Sequence, residues 1–149
     1  MRLAVILGGV FLAGPALAMP LPDCAGEVAV AKAHVTRVGQ DGALILEGIR
    51  LPGADRPATP VAQQALQVLR QLAVGAPLVL SSTSPRQDRY GRIRVQAFDH
   101  VWLQLALLER GLARVEIAPD REECAPDFYE AEARARGASL GLWALPHMR

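Results

Sequence analysis

The sequence is poor in the residues that build metal centres and redox sites. Its 149 residues include two cysteines and three histidines, and the cysteines, Cys24 and Cys124, lie far apart in the chain. Because there is no C-x-x-C motif and the histidines are scattered, the pattern argues against a zinc site or a dithiol redox motif. In an exported chain, two cysteines most simply form one disulfide, so we expect Cys24 to pair with Cys124.

A strong excess of positive charge is also missing. The formal net charge is +1, and loss of Arg2 with a leader would leave 15 basic and 15 acidic residues. Generic nucleic-acid binders usually carry a clear basic excess, so any anion site in this chain must be local. The densest cationic patch indicates either a phosphate site or a solvated face, and it consists of Arg86, Arg89, Arg92 and Arg94.

No apolar run at the N-terminus is long enough to span a bilayer comfortably. The uncharged stretch Leu3–Leu12 follows Arg2, and Ala16-Leu17-Ala18 has the small-x-small pattern of a cleavage site. A short run of this kind predicts a signal peptide over residues 1–18, cleaved after Ala18. The alternative is an uncleaved membrane anchor.

Cleavage predicts a protein that is exported to the periplasm or the medium, without stable membrane insertion afterwards. The remaining 131 residues are enough for one domain with one core. No repeat or low-complexity linker divides them. We expect an N-terminal extension with the first strand region at 19–34 and one folded domain at 35–145.

Hydrophobic periodicity predicts a mainly β domain with helices. Thr59 suits a helix N-cap with Pro60 at the first helical position, and Glu47-Gly48 suits a two-residue hairpin turn. The pattern predicts strands at 26–38, 43–46, 49–51, 77–82, 92–98 and 112–117, and helices from Pro60 to Gly75, at 101–110 and from Pro126 to Leu140. Short strands interrupted by helices favour a small barrel with helices packed outside.

Four motifs follow one another in the second half of the chain. They are Asp88-x-Tyr90-Gly91-Arg92, Gly111-Leu112-Ala113-x-Val115, Tyr129-x-Ala131-Glu132-x-x-Ala135-Arg136 and Gly141-Leu142-Trp143. None is specific alone, but in this order and spacing they resemble the staphylococcal-nuclease-like (thermonuclease) family. The resemblance implies a five-stranded OB-fold barrel with three helices. It also implies Ca²⁺-dependent hydrolysis of DNA and RNA phosphodiesters, with nucleic acid or a nucleotide phosphate as the partner. We expect a monomer.

The resemblance assigns four residues to phosphate or nucleic-acid binding. In the family, an arginine of the third strand precedes a loop of Gly-Ile-Asp-x-Pro-Glu type, and Arg50 matches it when Gly53–Ala58 is taken as the loop. Arg92 matches the second phosphate-binding arginine, with Tyr90 and Arg89 beside it. Planar guanidinium groups grip phosphate oxygens and stabilise charge in the transition state, so Arg50 and Arg92 are implied as a catalytic phosphate clamp.

The same alignment leaves the expected Ca²⁺ site incomplete. Asp55 matches one metal-binding aspartate, but Arg56 stands beside it. The second metal-binding aspartate is replaced by Gly42 or, in another register, by Ala43, and Asp41 is the nearby carboxylate. Because Ca²⁺ binds through several oxygen ligands, the sequence makes this cofactor doubtful.

The general-base position holds Ala58 in place of a glutamate. We therefore hypothesise a catalytically degraded, exported nuclease-fold domain that retains phosphate or nucleic-acid binding through Arg50 and Arg92. Fold does not by itself imply function, so enzyme status stays open at this point.

Two alternatives remain. One is an active Ca²⁺-dependent nuclease in which Asp41, Glu47 or Asp88 replaces the missing ligands. The other is a non-catalytic scaffold or interaction module of the cell envelope, in which Arg50 and Arg92 only pair with nearby carboxylates, Arg92 with Asp88.

Overall fold

The computed structural model describes residues 2–6, 22–25, 29–39, 44–52, 59–75, 77–82, 87–119 and 122–148. Within these ranges the strands are β1 (Arg2–Ile6), β2 (Ala29–Gly39), β3 (Leu44–Leu46), β4 (Ile49–Arg50), β5 (Pro77–Ser81), β6 (Ile93–Phe98) and β7 (Arg114–Val115). The α-helices are α1 (Pro60–Ala73), α2 (Leu103–Glu109) and α3 (Ala125–Gly137). Short 3-10 turns cover Asp23–Ala25, Gly141–Ala144 and Pro146–Met148.

The three predicted helices are confirmed, each close to its expected ends. At the start of α1, the Thr59 side chain accepts a 3.2 Å hydrogen bond from the Ala62 N–H, and Pro60 takes the first helical position. Gly111 follows α2 with φ 66°, a left-handed conformation that glycine adopts without steric cost. Over the described ranges, no helix has both the length and the apolar character needed to cross a membrane.

Five strands pair in a closed ring in the order β1-β2-β5-β6-β3. Neighbours in the ring are antiparallel, except that β3 and β6 run parallel. β4 and β7 form a separate antiparallel pair in which Ile49 faces Val115 and Arg50 faces Arg114.

The predicted hairpin between residues 43–46 and 49–51 is therefore wrong, because β3 and β4 belong to different sheets. The turn between them is at Glu47-Gly48, as expected. Gly48 has φ 81°, and a Cβ at this position would overlap the Phe128 ring. The chain thus leaves the ring at a point where only glycine fits beside α3.

A fold of β-strands with three α-helices is confirmed, but the ring is not built from the expected domain alone. One of its five strands, β1, consists of residues 2–6, which the sequence assigns to the signal peptide. The other four, β2, β3, β5 and β6, come from residues beyond the expected cleavage site. β2 also spans the expected boundary between residues 34 and 35.

The predicted disulfide is confirmed. Cys24 is bonded to Cys124, which immediately precedes α3, and their Cα atoms are 5.1 Å apart. The next residue, Ala25, is fully buried, and its carbonyl accepts a 3.0 Å hydrogen bond from the Ser81 hydroxyl. The segment before β2 is therefore tied to both α3 and the end of β5.

A fully buried amide, Gln104, joins α2 to the wall of the ring. Its Nε2 donates to the carbonyls of Val95 at 2.9 Å and Glu47 at 3.4 Å. Its Oε1 accepts a 3.2 Å hydrogen bond from the Ala97 N–H. One side chain thus satisfies backbone groups of β6 and of the turn that follows β3.

Aromatic rings complete the core where α2, α3 and β6 meet. The Trp102 ring lies 5.4 Å from Phe98 and 5.1 Å from Phe128, measured between ring centroids. The Trp102 indole N–H donates to Gln96 Oε1 at 3.0 Å. These contacts bury large apolar rings while their polar atoms stay paired.

Replacing Gln104 with leucine tests whether the hydrogen bonds of the buried amide stabilise the fold. The substitution keeps a similar volume but removes three hydrogen bonds, and a buried polar group left unpaired costs about 1–3 kcal/mol. We expect Gln104→Leu to lower the free energy of unfolding by about 3 kcal/mol in urea denaturation. Gln64→Leu, on the exposed side of α1, is the control and should change stability by less than about 0.5 kcal/mol. Equal stability of the two variants would contradict the assigned role.

Candidate functional site

The turn from Asp88 to Arg92 is built by its own backbone and by one carboxylate. The Asp88 N–H donates to the Arg92 carbonyl at 2.9 Å, and the Gly91 N–H donates to the Asp88 carbonyl at 2.9 Å. Gly91 has φ 71°, which this tight turn requires. Asp88 Oδ1 accepts from the backbone N–H groups of Tyr90 at 2.8 Å and Arg92 at 3.0 Å. β6 begins directly after this turn.

The guanidinium of Arg92 is held by the same carboxylate. Asp88 Oδ2 accepts from Arg92 Nε at 2.7 Å and lies 2.6 Å from Nη2. The side-chain hydrogen bond from Arg92 is the main reason that the pKa of Asp88 falls from its ordinary 3.8 to about 2. Asp88 therefore stays charged at physiological pH, and Arg92 is fixed in one orientation.

The Tyr90 ring lies between the turn and solvent and contacts two arginines. It is 63% exposed, and the guanidinium carbons of Arg89 and Arg92 are each 4.8 Å from its centroid. Such contacts are cation–π interactions. The structure therefore gathers Asp88, Arg89, Tyr90 and Arg92, which we call the phosphate turn, in one place.

Arg50 lies elsewhere, on β4 in the two-stranded sheet. Its Nη1 is 3.4 Å from Glu116 Oε1, and both side chains are largely exposed. Arg92 instead lies in the turn before β6 of the ring, so the two predicted clamp arginines belong to different parts of the fold. Glu116 follows β7 directly, and the sequence offered no signal for its pairing with a residue 66 positions away.

Glu47, a candidate replacement ligand, is buried in the turn between β3 and β4. Its backbone N–H donates to the Val95 carbonyl at 2.9 Å. It lines a small cavity beside the disulfide, together with Cys24, Gly48, Gln96, Ile117, Glu123, Cys124 and Phe128. This position places Glu47 in the core beside α3 rather than on an open surface.

The remaining candidate positions, Asp41, Gly42, Ala43, Asp55 and Ala58, lie outside the described residues. Across the ranges that are described, no group of three or more histidine, cysteine, aspartate or glutamate side chains could hold a metal ion. The described residues therefore offer a cationic turn but no metal centre.

Comparison with known proteins agrees with the motifs. Residues 43–145, more than half of the chain, match the family model for staphylococcal nuclease homologues. No curated protein matches the chain. The matched range contains the three α-helices and the strands from β3 to β7, including the phosphate turn. The chain therefore belongs to the family of staphylococcal nuclease homologues.

Proposed function

We propose that this protein is an exported family member that has lost phosphodiester hydrolysis and keeps a site for a phosphate group of nucleic acid or a nucleotide. The observation that carries the proposal is the missing general base. The family loop of Gly-Ile-Asp-x-Pro-Glu type ends in the glutamate that positions water, and neither of the two registers in which it fits this chain supplies that glutamate.

That loop fits the chain in two registers. In the first, Gly53–Ala58 is the loop, and Arg50 stands three residues before it. In the second, Gly48–Gly53 is the loop, and the motif's glycine, isoleucine and proline all match. Arg50 then replaces the metal-binding aspartate, Gly53 replaces the glutamate and Ile45 replaces the strand arginine. The glutamate is missing in both registers.

The two registers assign the strand arginine to different sheets. In the second register its position is Ile45 on β3, beside β6 in the ring and opposite Arg94, whereas in the first it is Arg50 on β4 in the other sheet. Gly48, the motif glycine of the second register, has no room for a Cβ beside Phe128. In this register the chain lacks the first clamp arginine as well as the base.

The donor set does not fit Ca²⁺ in either register. Ca²⁺ takes 6–8 oxygen ligands, most effectively from carboxylates. In the first register the one remaining aspartate, Asp55, is followed by Arg56, and in the second register the aspartate position is itself Arg50. Each register therefore has an arginine at or directly beside the aspartate position in the sequence, so no step of the proposed function uses the metal.

The phosphate turn still has the chemistry to bind an anion. Arg92 Nε and Nη2 are engaged by Asp88, while Nη1 makes no hydrogen bond with the described residues. Arg89, which is exposed, adds a second guanidinium on the Tyr90 ring. Nη1 can therefore donate a hydrogen bond to a phosphate oxygen without displacing Asp88.

We infer that the domain is an OB-type barrel with three helices and that the protein is a monomer. We also infer that it is exported to the periplasm or the medium. The disulfide supports export, because such bonds persist in oxidising compartments. The shared hydrophobic core supports one domain, and because Ala25 belongs to that core, we place the start of the domain before residue 35.

A second candidate function is a scaffold or interaction module of the cell envelope. The bond between Asp88 and Arg92 favours it, since the carboxylate already occupies two of the guanidinium donors. In that case Arg92 stabilises the turn and binds no ligand.

A nuclease assay tests the loss of catalysis. We expect exported, purified protein to leave single-stranded DNA intact in Ca²⁺, to the same degree as in EDTA, because the base and the metal donors are missing. Gel electrophoresis of the DNA gives the result. Ca²⁺-dependent cleavage that disappears in Arg92→Ala but persists in Arg70→Ala, a surface arginine of α1, would show that the protein is an active nuclease.

Titration with a nucleoside bisphosphate at low salt tests anion binding. Hydrogen bonds to charged groups contribute about 1.5–3 kcal/mol, so we expect Arg92→Ala to weaken binding by about tenfold to a hundredfold. Arg92→Lys should weaken it less, since a point charge remains without the planar fork. Arg70→Ala should bind as the wild type does. Absence of binding to the wild type in calorimetry would leave only the scaffold function.

The pH dependence of stability tests the Asp88–Arg92 bond separately. The pKa of Asp88 is depressed in the folded protein, so the bond contributes stability above pH 3.8 that is lost as the pH falls towards 2. We expect urea unfolding of the wild type and Asp88→Asn to differ at pH 5 and to converge near pH 2. An NMR titration that placed the Asp88 carboxyl pKa near 3.8 would contradict the bond.

A further inference from the structure

Away from the phosphate turn, two arginines lie opposite each other on the two-stranded sheet. β4 and β7 are antiparallel, with Arg50 opposite Arg114 and Ile49 opposite Val115. Because side chains alternate along a strand, these two pairs point to opposite faces of the sheet. Ile49 is buried, Val115 is half-buried, and both pack in the hydrophobic core. Arg50 and Arg114 are exposed on the outer face, and we call them the arginine pair.

The backbone that carries the arginine pair is held from both sides. The Glu116 N–H donates to the Gly48 carbonyl of the other strand segment at 2.9 Å. Hydrogen-bonded and non-hydrogen-bonded positions alternate in an antiparallel pair, so the N–H of Val115 points away from β4. It donates instead to Oε1 of Glu132 on α3 at 3.2 Å, and Glu132 is buried. β7 is therefore fixed between β4 and α3, which fixes the backbone positions of both arginines.

Two guanidinium groups in these positions repel each other. Residues directly opposite in an antiparallel pair have Cβ atoms about 5 Å apart, and like charges there are destabilising. Arg50 Nη1 lies 3.4 Å from Glu116 Oε1, but both side chains are largely exposed, so water screens this ion pair. Arg114 makes no side-chain hydrogen bond or ion pair with the residues that the structure describes. Its charge is thus left without a carboxylate in the described part of the chain.

We propose that the arginine pair binds a phosphate group and forms a second anion site, separate from the phosphate turn. Guanidinium forks match phosphate oxygens, and arginines on directly opposite residues can donate to the same anion. Arg114 supplies the uncompensated charge, while Arg50 divides its donors between the anion and Glu116. A phosphate group carries about −1.5 to −2 at pH 7 and so offsets two guanidinium charges, which a carboxylate does not.

This site differs from the clamp that the family resemblance implies. The clamp joins Arg50 to Arg92, whereas the second site joins Arg50 to Arg114 of β7. It therefore goes beyond the proposed function, and it holds whether or not the phosphate turn binds an anion.

The test is a residue-resolved NMR titration of the purified wild-type protein at low salt. The probes are inorganic phosphate and a nucleoside monophosphate, which distinguish a free phosphate from an esterified one, and acetate is the carboxylate control. The backbone amides of residues 49–50 and 114–116 and the Nε–H groups of the arginine pair are followed. We expect saturable shifts with at least one phosphate probe and about tenfold weaker binding of acetate, because acetate carries a smaller charge.

Three substitutions at exposed positions give an expected order of affinity. Arg114→Gln removes one guanidinium and should weaken phosphate binding at these amides about tenfold. Glu116→Gln removes the carboxylate that competes for Arg50 and should tighten binding about threefold. Arg70→Gln, on the exposed side of α1, is the matched control and should bind as the wild type does.

Four results would overturn the proposal. They are the absence of saturable shifts at residues 114–116 in millimolar phosphate, acetate binding equal to phosphate binding, equal affinity of Arg114→Gln and Arg70→Gln, and a Glu116→Gln variant that does not bind more tightly. The amides of residues 88–92 report on the phosphate turn in the same spectra. Failure of the second site is therefore distinguishable from failure of the proposed function.

Discussion

The position of the phosphate turn depends on the buried hydrogen bonds of Gln104. They join α2 to β6 and to the turn after β3, inside a core where no water competes. Because β6 follows the phosphate turn directly, its attachment to α2 sets where Arg92 stands. The same amide reaches the Glu47 carbonyl, next to the glycine at which the chain leaves the ring. The position of the phosphate turn thus depends on a buried polar contact as well as on apolar packing.

One carboxylate explains why the phosphate turn is compatible with two functions. Asp88 satisfies two backbone N–H groups and fixes the orientation of the Arg92 guanidinium, which the proposed anion binding would use. The same bonds neutralise part of its charge, which lowers its attraction for phosphate. In an active nuclease, a metal ion and a base would add to this site. The described residues contain no group that could hold a metal ion, and the two functions proposed for the turn are anion binding and turn stabilisation.

The strand order of the ring includes residues of the predicted signal peptide. Four ring strands come from beyond the expected cleavage site, and the fifth, β1, lies within residues 1–18. The disulfide and the Ser81 contact fix Cys24 and Ala25 against the start of α3 and the end of β5. If residues 1–18 are removed, backbone groups of β2 and β3 that pair with β1 become exposed.

The sequence by itself determined the family, the three helices and the disulfide. Thr59 with Pro60 marks a helix start by local chemistry, and the proposed loss of the general base is read from residue identity at Ala58 or Gly53. Only the tertiary structure decided that β4 leaves the ring, that Arg50 pairs with Glu116, and that residues 2–6 close the barrel. Strand pairing and ion pairs join positions far apart in the chain, and local periodicity does not specify which distant partner a segment will meet.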